Sequence, residues 1–285
     1  MESAEQQRSN LLSAVTVNFI KAKQAIRMSG TLPSDTSPES YHNNADPEMD
    51  SAKRLADSLE PWRYSVPPGP ILEVGAGTGI LTNHIRRILP KREISVTDAS
   101  PIMLEKARAI YGESNGEQLR FSQFDPEKDN IREQHYSLIC GNHVAHQFQN
   151  PASALEKLAL GLTLDGLMLM SFPGEDSFQE WRSTCVDLGI PYTGKAMPGT
   201  EPLVIHLSMG PVQVDFYEDQ STWYFDSFES FRRHMASGGL EIEDAERRLK
   251  EKEIELLNKN WTKTKEGKIG FTYHNVFLAV KRIGE

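Results

Sequence analysis

Short runs of consecutive apolar residues alternate with segments of helical periodicity through the middle of the chain. The apolar runs, which include ILEV from position 71 and LMLMSFPG from position 167, are typical of buried strands. Between them, ILTNHIRRIL and PIMLEKARAIY repeat their apolar residues with the period of a helix. This alternation predicts an α/β fold in which a mostly parallel, doubly wound sheet has helices on both faces.

Both ends of the chain depart from this alternation. Helical patterns cover 4–27 and 49–59, and a segment rich in Pro, Ser, Asp and Asn separates them. Near the C-terminus, VQVDFYEDQSTWYF and IGFTYHNVFLAVKR read as two strands, with helices between them over about 226–260. We therefore expect an N-terminal helical segment at 1–60 and a main domain at 61–285. The two late strands would form an antiparallel edge hairpin that carries the helical insertion.

Three glycines alternate with small residues directly after the first apolar run, in ILEVGAGTGILTNHI. In a doubly wound sheet, ligands bind beyond the carboxyl ends of the strands, which is where this loop lies. A dinucleotide loop would have its third glycine at the position of Ile80, and a phosphate loop would have a lysine close behind. Glu73, at the strand end, would repel a phosphate but could pair with an ammonium group.

Two further acids follow the next two predicted strands. Asp98 ends the second strand and could accept hydrogen bonds from both hydroxyls of a ribose. Asp125 follows the third strand and could accept from an adenine amino group, with Phe124 or Pro126 near the ring face. Each acid alone also fits a helix cap or a solvated loop charge. Their placement on successive strand ends favours a ligand with an amine, a ribose and an adenine but no phosphate, which describes S-adenosylmethionine.

Four stretches of the chain, ILEVGAGTGILT, VTDASPIMLEKAR, FSQFDPE and YSLICGNHVAHQF, closely resemble motifs of class I S-adenosylmethionine-dependent methyltransferases. The resemblance covers about residues 69 to 173. It implies a Rossmann-like, seven-stranded sheet whose last strand is antiparallel, and S-adenosylmethionine as cofactor. The cofactor-binding residues that it implies are Glu73, Gly75, Ala76, Gly77, Gly79, Asp98, Ala99, Met103, Asp125, Pro126, Gly141 and Asn142.

The methyl acceptor is a separate question. A carboxylate acceptor needs no general base, whereas a hydroxyl or amine acceptor usually benefits from one. His143 and His146, after the fourth predicted strand, are the candidate bases. They also fit histidines that simply pack beside Phe148.

Other segments, including ESYHNNADPEMDSAKRLADSL and FDSFESFRRHMASGGL, resemble malonyl-acyl-carrier-protein O-methyltransferases. That resemblance implies methylation of a malonyl carboxylate on a carrier protein, and an N-terminal helical lid over the cofactor. Tyr41 would close over the methyl donor, or it would be a loop aromatic at the edge of the core. Arg182 would pair with the acceptor carboxylate, or it would be an exposed charge on its helix. Arg232 and Arg233 would meet an acidic carrier protein.

We therefore expect a methyltransferase that acts on a carboxylate, such as carrier-bound malonyl or a related small acid. The alternatives are a small-molecule O- or N-methyltransferase with a histidine base, and a cofactor-binding regulatory protein without turnover.

Composition limits the classes of partner and the cellular location that we expect. The net charge of −9 argues against a general nucleic-acid binder. The chain has two cysteines outside any Cys-x-x-Cys pair and no signal-peptide pattern at its start, so a reduced, cytoplasmic location is expected. Its most apolar stretch is too short to span a bilayer, and no spacing typical of metal ligands stands out.

Overall fold

The computed structural model describes residues 45–112, 118–240 and 249–284. The predicted helix at 4–27 and Tyr41 lie outside these residues. The predicted division at residue 60 into a lid segment and a main domain stays a prediction.

The described residues form seven strands and eight α-helices. The strands are β1 (Ile71–Glu73), β2 (Ile94–Asp98), β3 (Leu119–Gln123), β4 (Tyr136–Asn142), β5 (Leu162–Pro173), β6 (Val212–Phe225) and β7 (Ile269–Arg282). The helices are α1 (Asp46–Leu59), α2 (Ile80–Ile88), α3 (Pro101–Tyr111), α4 (Pro151–Leu160), α5 (Gln179–Leu188), α6 (Thr200–Ser208), α7 (Phe228–Ser237) and α8 (Glu251–Asn260).

All seven strands join one sheet in the order β3-β2-β1-β4-β5-β7-β6. β1 to β5 pair in parallel, whereas β7 runs antiparallel to both of its neighbours. β6 and β7 are paired along their whole length, and α7 and α8 lie between them in the chain. These features confirm the predicted seven-stranded, doubly wound sheet, its antiparallel last strand and the insertion in the late hairpin.

The apolar strands divide their side chains between two cores because successive strand residues point to opposite faces of the sheet. Ile71 and Leu138 belong to one cluster, which α1 and α2 cover. Their neighbours Leu72 and Ile139 belong to the other, which α4 and α6 cover. A third, largely aromatic cluster lies among α5, α7, α8 and the start of β7, so the late insertion has a core of its own.

Two of the helices show how far the local sequence determines where a helix forms. Helix α3 begins where Ser100 caps it and Pro101 occupies its first turn, as the pattern indicated. Helix α6 has no counterpart in the sequence prediction. It is short, it contains Pro202 in its first turn, and it buries Leu203 and Leu207 on a largely apolar sequence without clear periodicity.

Helix α1 is fastened to the sheet by polar contacts as well as by packing. The guanidinium of Arg54 is almost fully buried; its Nη2 lies 2.6 Å from Oδ2 of Asp219 on β6, and it stacks over the Phe277 ring at 4.4 Å. The Ser51 hydroxyl donates to the Ser171 hydroxyl on β5 at 2.9 Å. These contacts fix where the middle of α1 meets the sheet.

Candidate functional site

A cavity of about 420 Å³ opens beyond the carboxyl ends of the parallel strands. Its walls come from the glycine loop after β1, the start of α3, the turns after β3 and β4, and the end of α7. Of the sequence-predicted residues, it brings together Glu73, Gly75, Ala76, Gly77, Asp98, Ala99, Met103, Asp125, Pro126, Asn142 and His143. This is the position where open α/β sheets bind their ligands.

The glycine loop needs its glycines for two different reasons. Gly75 has φ of 62°, and a Cβ there would lie 2.4 Å from Cγ2 of Val144, so the loop could not pack against the turn after β4. Gly79 caps α2 with φ of 86°, and its Cβ would lie 2.5 Å from the Tyr111 ring. Gly79 does not line the cavity, so its part is to start the helix.

Glu73 lies at the cavity wall with one oxygen committed and one without a partner. Oε2 accepts a hydrogen bond from the Thr82 hydroxyl at 2.6 Å, whereas the buried Oε1 has no hydrogen-bond partner among the described residues. Burial raises the pKa of this carboxyl to about 8. A buried acid with a vacant oxygen suits a cationic ligand, because an ammonium group would supply both the missing hydrogen bond and the opposite charge.

Asp98 holds the glycine loop in place and has hydrogen-bond acceptor positions left for a ligand. Its Oδ2 accepts from the backbone N–H of Gly77 and its Oδ1 from that of Ser100, each at 2.8 Å. A carboxylate offers about four acceptor positions, so two remain for ligand hydroxyls. Partial burial raises the pKa of the Asp98 carboxyl.

Asp125 also lines the cavity, two residues beyond β3. Its Oδ2 accepts from Lys128 Nζ at 2.6 Å and its Oδ1 from the backbone of Glu127 at 3.0 Å. The hydrogen bond from Lys128 is the main reason why the pKa of Asp125 is lowered. Pro126 is buried beside it, and Phe124 also lines the cavity, so an apolar surface lies next to a fixed carboxylate.

The residues at the end of β4 mainly make structural contacts with neighbouring elements. Gly141 is buried and does not line the cavity; a Cβ there would lie 2.7 Å from Val144. Asn142 reaches the cavity, but its amide donates to the backbone carbonyl of Glu48 at 2.9 Å. Its Oδ1 accepts from the Ser171 hydroxyl at 2.7 Å. The Asn142 side chain therefore ties α1 to the sheet.

The two candidate bases differ in position. His143 lines the cavity and has φ of 51°, a left-handed conformation that is uncommon for a residue with a side chain. His146 does not line it; Nε2 of His146 lies 3.4 Å from the carbonyl oxygen of Gly238. Burial lowers the pKa of His146 to about 3 and that of His143 well below its ordinary value, so both rings are neutral.

Arg182 does not reach this cavity. It lies on the exposed side of α5, where its guanidinium stacks over the Tyr192 ring at 5.2 Å. There it borders a separate surface depression with Gln179 and Asp187. Its position gives no support to the predicted pairing with an acceptor carboxylate.

Comparison with known proteins agrees with this geometry. The model of a family described as "Methyltransferase domain" matches residues 48–244. The chain belongs to this methyltransferase family.

Relatives of the methyltransferase point to the same fold and chemistry. It is similar to a malonyl-[acyl-carrier protein] O-methyltransferase from Magnetococcus marinus, with 27% identity over 83% of this chain and 86% of the relative. In other relatives of that name, the match covers about half of their length.

Solved structures share the fold at low sequence identity. The YcgJ protein of Bacillus subtilis has a TM-score of 0.58 and 17% identity, covering 82% of this chain and all of the other. The plantazolicin methyltransferase BpumL, solved in complex with SAH, has a TM-score of 0.53 and 13% identity, covering 98% and 99% of the two chains.

The methyltransferase also contains a buried polar cluster that the sequence analysis did not identify. Glu48 Oε1 lies 3.8 Å from Nδ1 of His143 and 3.8 Å from Nε2 of His234. His234 Nε2 in turn lies 2.6 Å from the hydroxyl of Tyr273. One signal for it existed: Glu48 falls four residues before Ala52, on the apolar face of α1, where an acid is out of place.

None of the described helices of the methyltransferase is both long enough and apolar enough to cross a membrane. Across 45–112, 118–240 and 249–284, no three His, Cys, Asp or Glu side chains are grouped so that they could hold a metal ion.

Proposed function

We propose that the protein binds S-adenosylmethionine in this cavity and transfers its methyl group to an acceptor beside His143. The observation that carries the proposal is the vacant, buried Oε1 of Glu73 at the wall of a cavity whose further acids, Asp98 and Asp125, stand at successive strand ends. Bound there, the cofactor would supply a methyl group already activated by its sulfonium.

Each acid has a separate part in the proposal. Glu73 pairs with the ammonium group, and the two open acceptor positions of Asp98 receive the ribose hydroxyls. Asp125 accepts from the adenine amino group, with Phe124 and Pro126 against the ring. The protein then has to hold the acceptor in line with the methyl group, so orientation supplies much of the rate.

Calorimetric titration with S-adenosylmethionine tests the cofactor assignment. We expect Glu73→Gln to weaken binding by about 10-fold or more, because a charge-assisted contact contributes about 1.5–3 kcal/mol. Glu60→Gln is the matched control, since Glu60 is exposed and pairs only with Arg63 among the described residues. Equal affinity in the wild type and Glu73→Gln would refute the placement of the ammonium group, and no binding to the wild type would refute the function itself.

Two acceptor classes remain, and each has its own support. A carboxylate, such as malonyl carried by an acyl carrier protein, is supported by the names of the relatives. A neutral hydroxyl or amine is supported by the cavity, where His143 lines the wall as a neutral base. Lys128 is the one lysine or arginine among the described residues that line the cavity, and it is paired with Asp125. The geometry therefore favours the neutral acceptor.

A methyl-transfer assay with two matched acceptors separates these classes. Malonyl-coenzyme A offers a carboxylate, and 3-hydroxypropionyl-coenzyme A offers a hydroxyl at the same end of a similar chain. Transfer of labelled methyl to the hydroxyl compound supports the neutral acceptor, and preference for malonyl-coenzyme A supports the carboxylate. Labelled product from either compound would exclude a regulatory protein without turnover.

A further inference from the structure

We propose that Glu48 is a positioning residue that acts through His143, and that the two together accept the proton of a neutral O–H or N–H acceptor at the inner wall of the cavity. This inference rests on the methyl-transfer function proposed above and defines its acceptor class. Glu48, on α1, is far in sequence from the glycine loop and the strand ends that bind the cofactor in that proposal.

The geometry places Glu48 directly behind the cavity wall. Its side chain is 2% exposed, and that of His143 is 5% exposed. His143 and Gly238 both line the cavity, and a Cβ on Gly238 would lie 3.6 Å from Glu48 Oε1. Oε2 of Glu48 and Nδ1 of His143 are both buried and have no hydrogen-bond partner among the described residues. Unpaired buried groups of this kind are costly, which indicates that they await a partner.

The His143 ring is held in a defined direction. Its left-handed backbone, with φ of 51°, carries a strain of about 1–3 kcal/mol for an ordinary residue. The side chain of the preceding residue, Asn142, donates to the backbone carbonyl of Glu48, which ties the turn to α1. Nδ1 of His143 faces Glu48, which leaves Nε2 as the nitrogen for an acceptor in the cavity. The 3.8 Å separation has to shorten by a small rotation, as is common when a catalytic site closes on its ligand.

The charges of the cluster favour proton uptake by Glu48. Burial raises its pKa to about 7, and the negative charge of Asp46 contributes. Burial lowers the pKa of His143 well below its ordinary value, and the neighbouring His146 and His234 add to the effect. Near neutral pH the His143 imidazole is therefore neutral, and Glu48 is ionised in part of the molecules, where it can accept a proton.

In the step that we propose, the protons and the charges are conserved. The acceptor oxygen or nitrogen would form its bond to the methyl as the bond from sulfur to that methyl breaks, and the acceptor's own proton would move to Nε2 of His143. The proton on Nδ1 passes to Glu48, which becomes a neutral acid as the sulfonium loses its positive charge. A carboxylate acceptor has no proton to give. Its negative charge would also be repelled by Glu48 in the molecules where Glu48 is ionised.

Nuclear magnetic resonance of protein labelled with nitrogen-15 histidine tests the pair without an acceptor. With S-adenosylhomocysteine bound, we expect the His143 nitrogens to shift once around pH 7, as Glu48 ionises and fixes the Nδ1–H tautomer. His143→Gln assigns the signal. The shift should vanish in Glu48→Gln and persist in the exposed control Glu60→Gln. A His143 signal that titrates identically in Glu48→Gln would overturn the proposal.

Turnover gives a second readout. On 3-hydroxypropionyl-coenzyme A we expect Glu48→Gln to lower kcat by about 100-fold, the usual size of a general-base effect, with KM for the cofactor unchanged. Glu48→Asp should restore part of the rate, since it retains a carboxylate. Preference of the wild type for malonyl-coenzyme A, or full activity of Glu48→Gln, would also overturn the proposal. Failure of the methyl-transfer function is a different result, in which the wild type yields no labelled product from either acceptor.

Discussion

At the scale of single residues, Asp98 joins the scaffold to the ligand. Its carboxylate accepts backbone N–H groups from Gly77 in the glycine loop and from Ser100 at the start of α3. The same oxygens offer the two remaining acceptor positions proposed for the ribose. One side chain therefore holds the loop in its binding shape and contacts the ligand, so its removal has two additive costs.

We expect Asp98→Ala to weaken S-adenosylmethionine binding by at least about 100-fold, because hydrogen bonds to a charged group contribute about 1.5–3 kcal/mol each. Calorimetric titration measures the change. Asp57→Ala is the control, since that acid is exposed and pairs with Lys53 on the surface of α1. An affinity within 3-fold of the wild type would contradict the assigned role of Asp98.

Glu73 leads to a prediction about protons. Its carboxyl has a pKa of about 8 without ligand, so at pH 7 most molecules carry a proton there. An ammonium ligand favours the ionised form and must lower that pKa. We expect S-adenosylmethionine binding at pH 7 to release close to one proton, measured by calorimetry in buffers of different ionisation enthalpy. The release should disappear in Glu73→Gln, and an unchanged release there would show that another group supplies it.

At the scale of elements, the sequence pattern predicts the positions of residues that lie next to a strand or helix end. The acids and glycines that line the cavity lie within a few residues of a strand end, so the alternation of strands and helices places them. Glu48, His143 and His234 come from three distant segments, and only the docking of α1 and α7 on the sheet brings them together. The exposed position of Arg182 follows from its place on the helix, and its pairing with an acceptor stays a prediction. Helix α5 buries Trp181 and Cys185, and the next position, about 100° around the helix, faces solvent.

The docking of α1 depends on its buried ion pair, which is open to a direct test. Arg54→Met would leave the carboxylate of Asp219 buried without its cation, and breaking a buried pair costs about 3–5 kcal/mol. We expect that loss in the free energy of unfolding measured with urea. The neighbouring Lys53→Met, which removes an exposed pair, should cost less than about 1 kcal/mol. Similar losses for the two variants would contradict the anchoring role of Arg54.

At the scale of the whole molecule, the buried acids make stability depend on pH. Glu73 and Glu48 have pKa values of about 8 and about 7 in the folded protein, against an ordinary value of 4.5. The folded state therefore binds more protons than the unfolded state above pH 4.5, and this contribution to stability is lost as the pH rises through 7 and 8. Three buried histidines have lowered pKa values, so their contribution is lost instead as the pH falls below about 6.5.

These opposite slopes predict that the ligand-free protein is most stable near pH 6.5 and loses roughly 1–2 kcal/mol of its free energy of unfolding by pH 8.5, because the histidines offset part of the roughly 2–3 kcal/mol that the two acids lose. Urea unfolding across that range measures the loss. In a variant that combines Glu48→Gln and Glu73→Gln, the alkaline loss should disappear, because no buried carboxyl remains to ionise at those two positions. The acid-side loss should persist, since the histidines are unchanged. If the double variant kept the alkaline loss, the ionisation responsible would lie elsewhere in the molecule, and the raised pKa values of Glu48 and Glu73 would be contradicted.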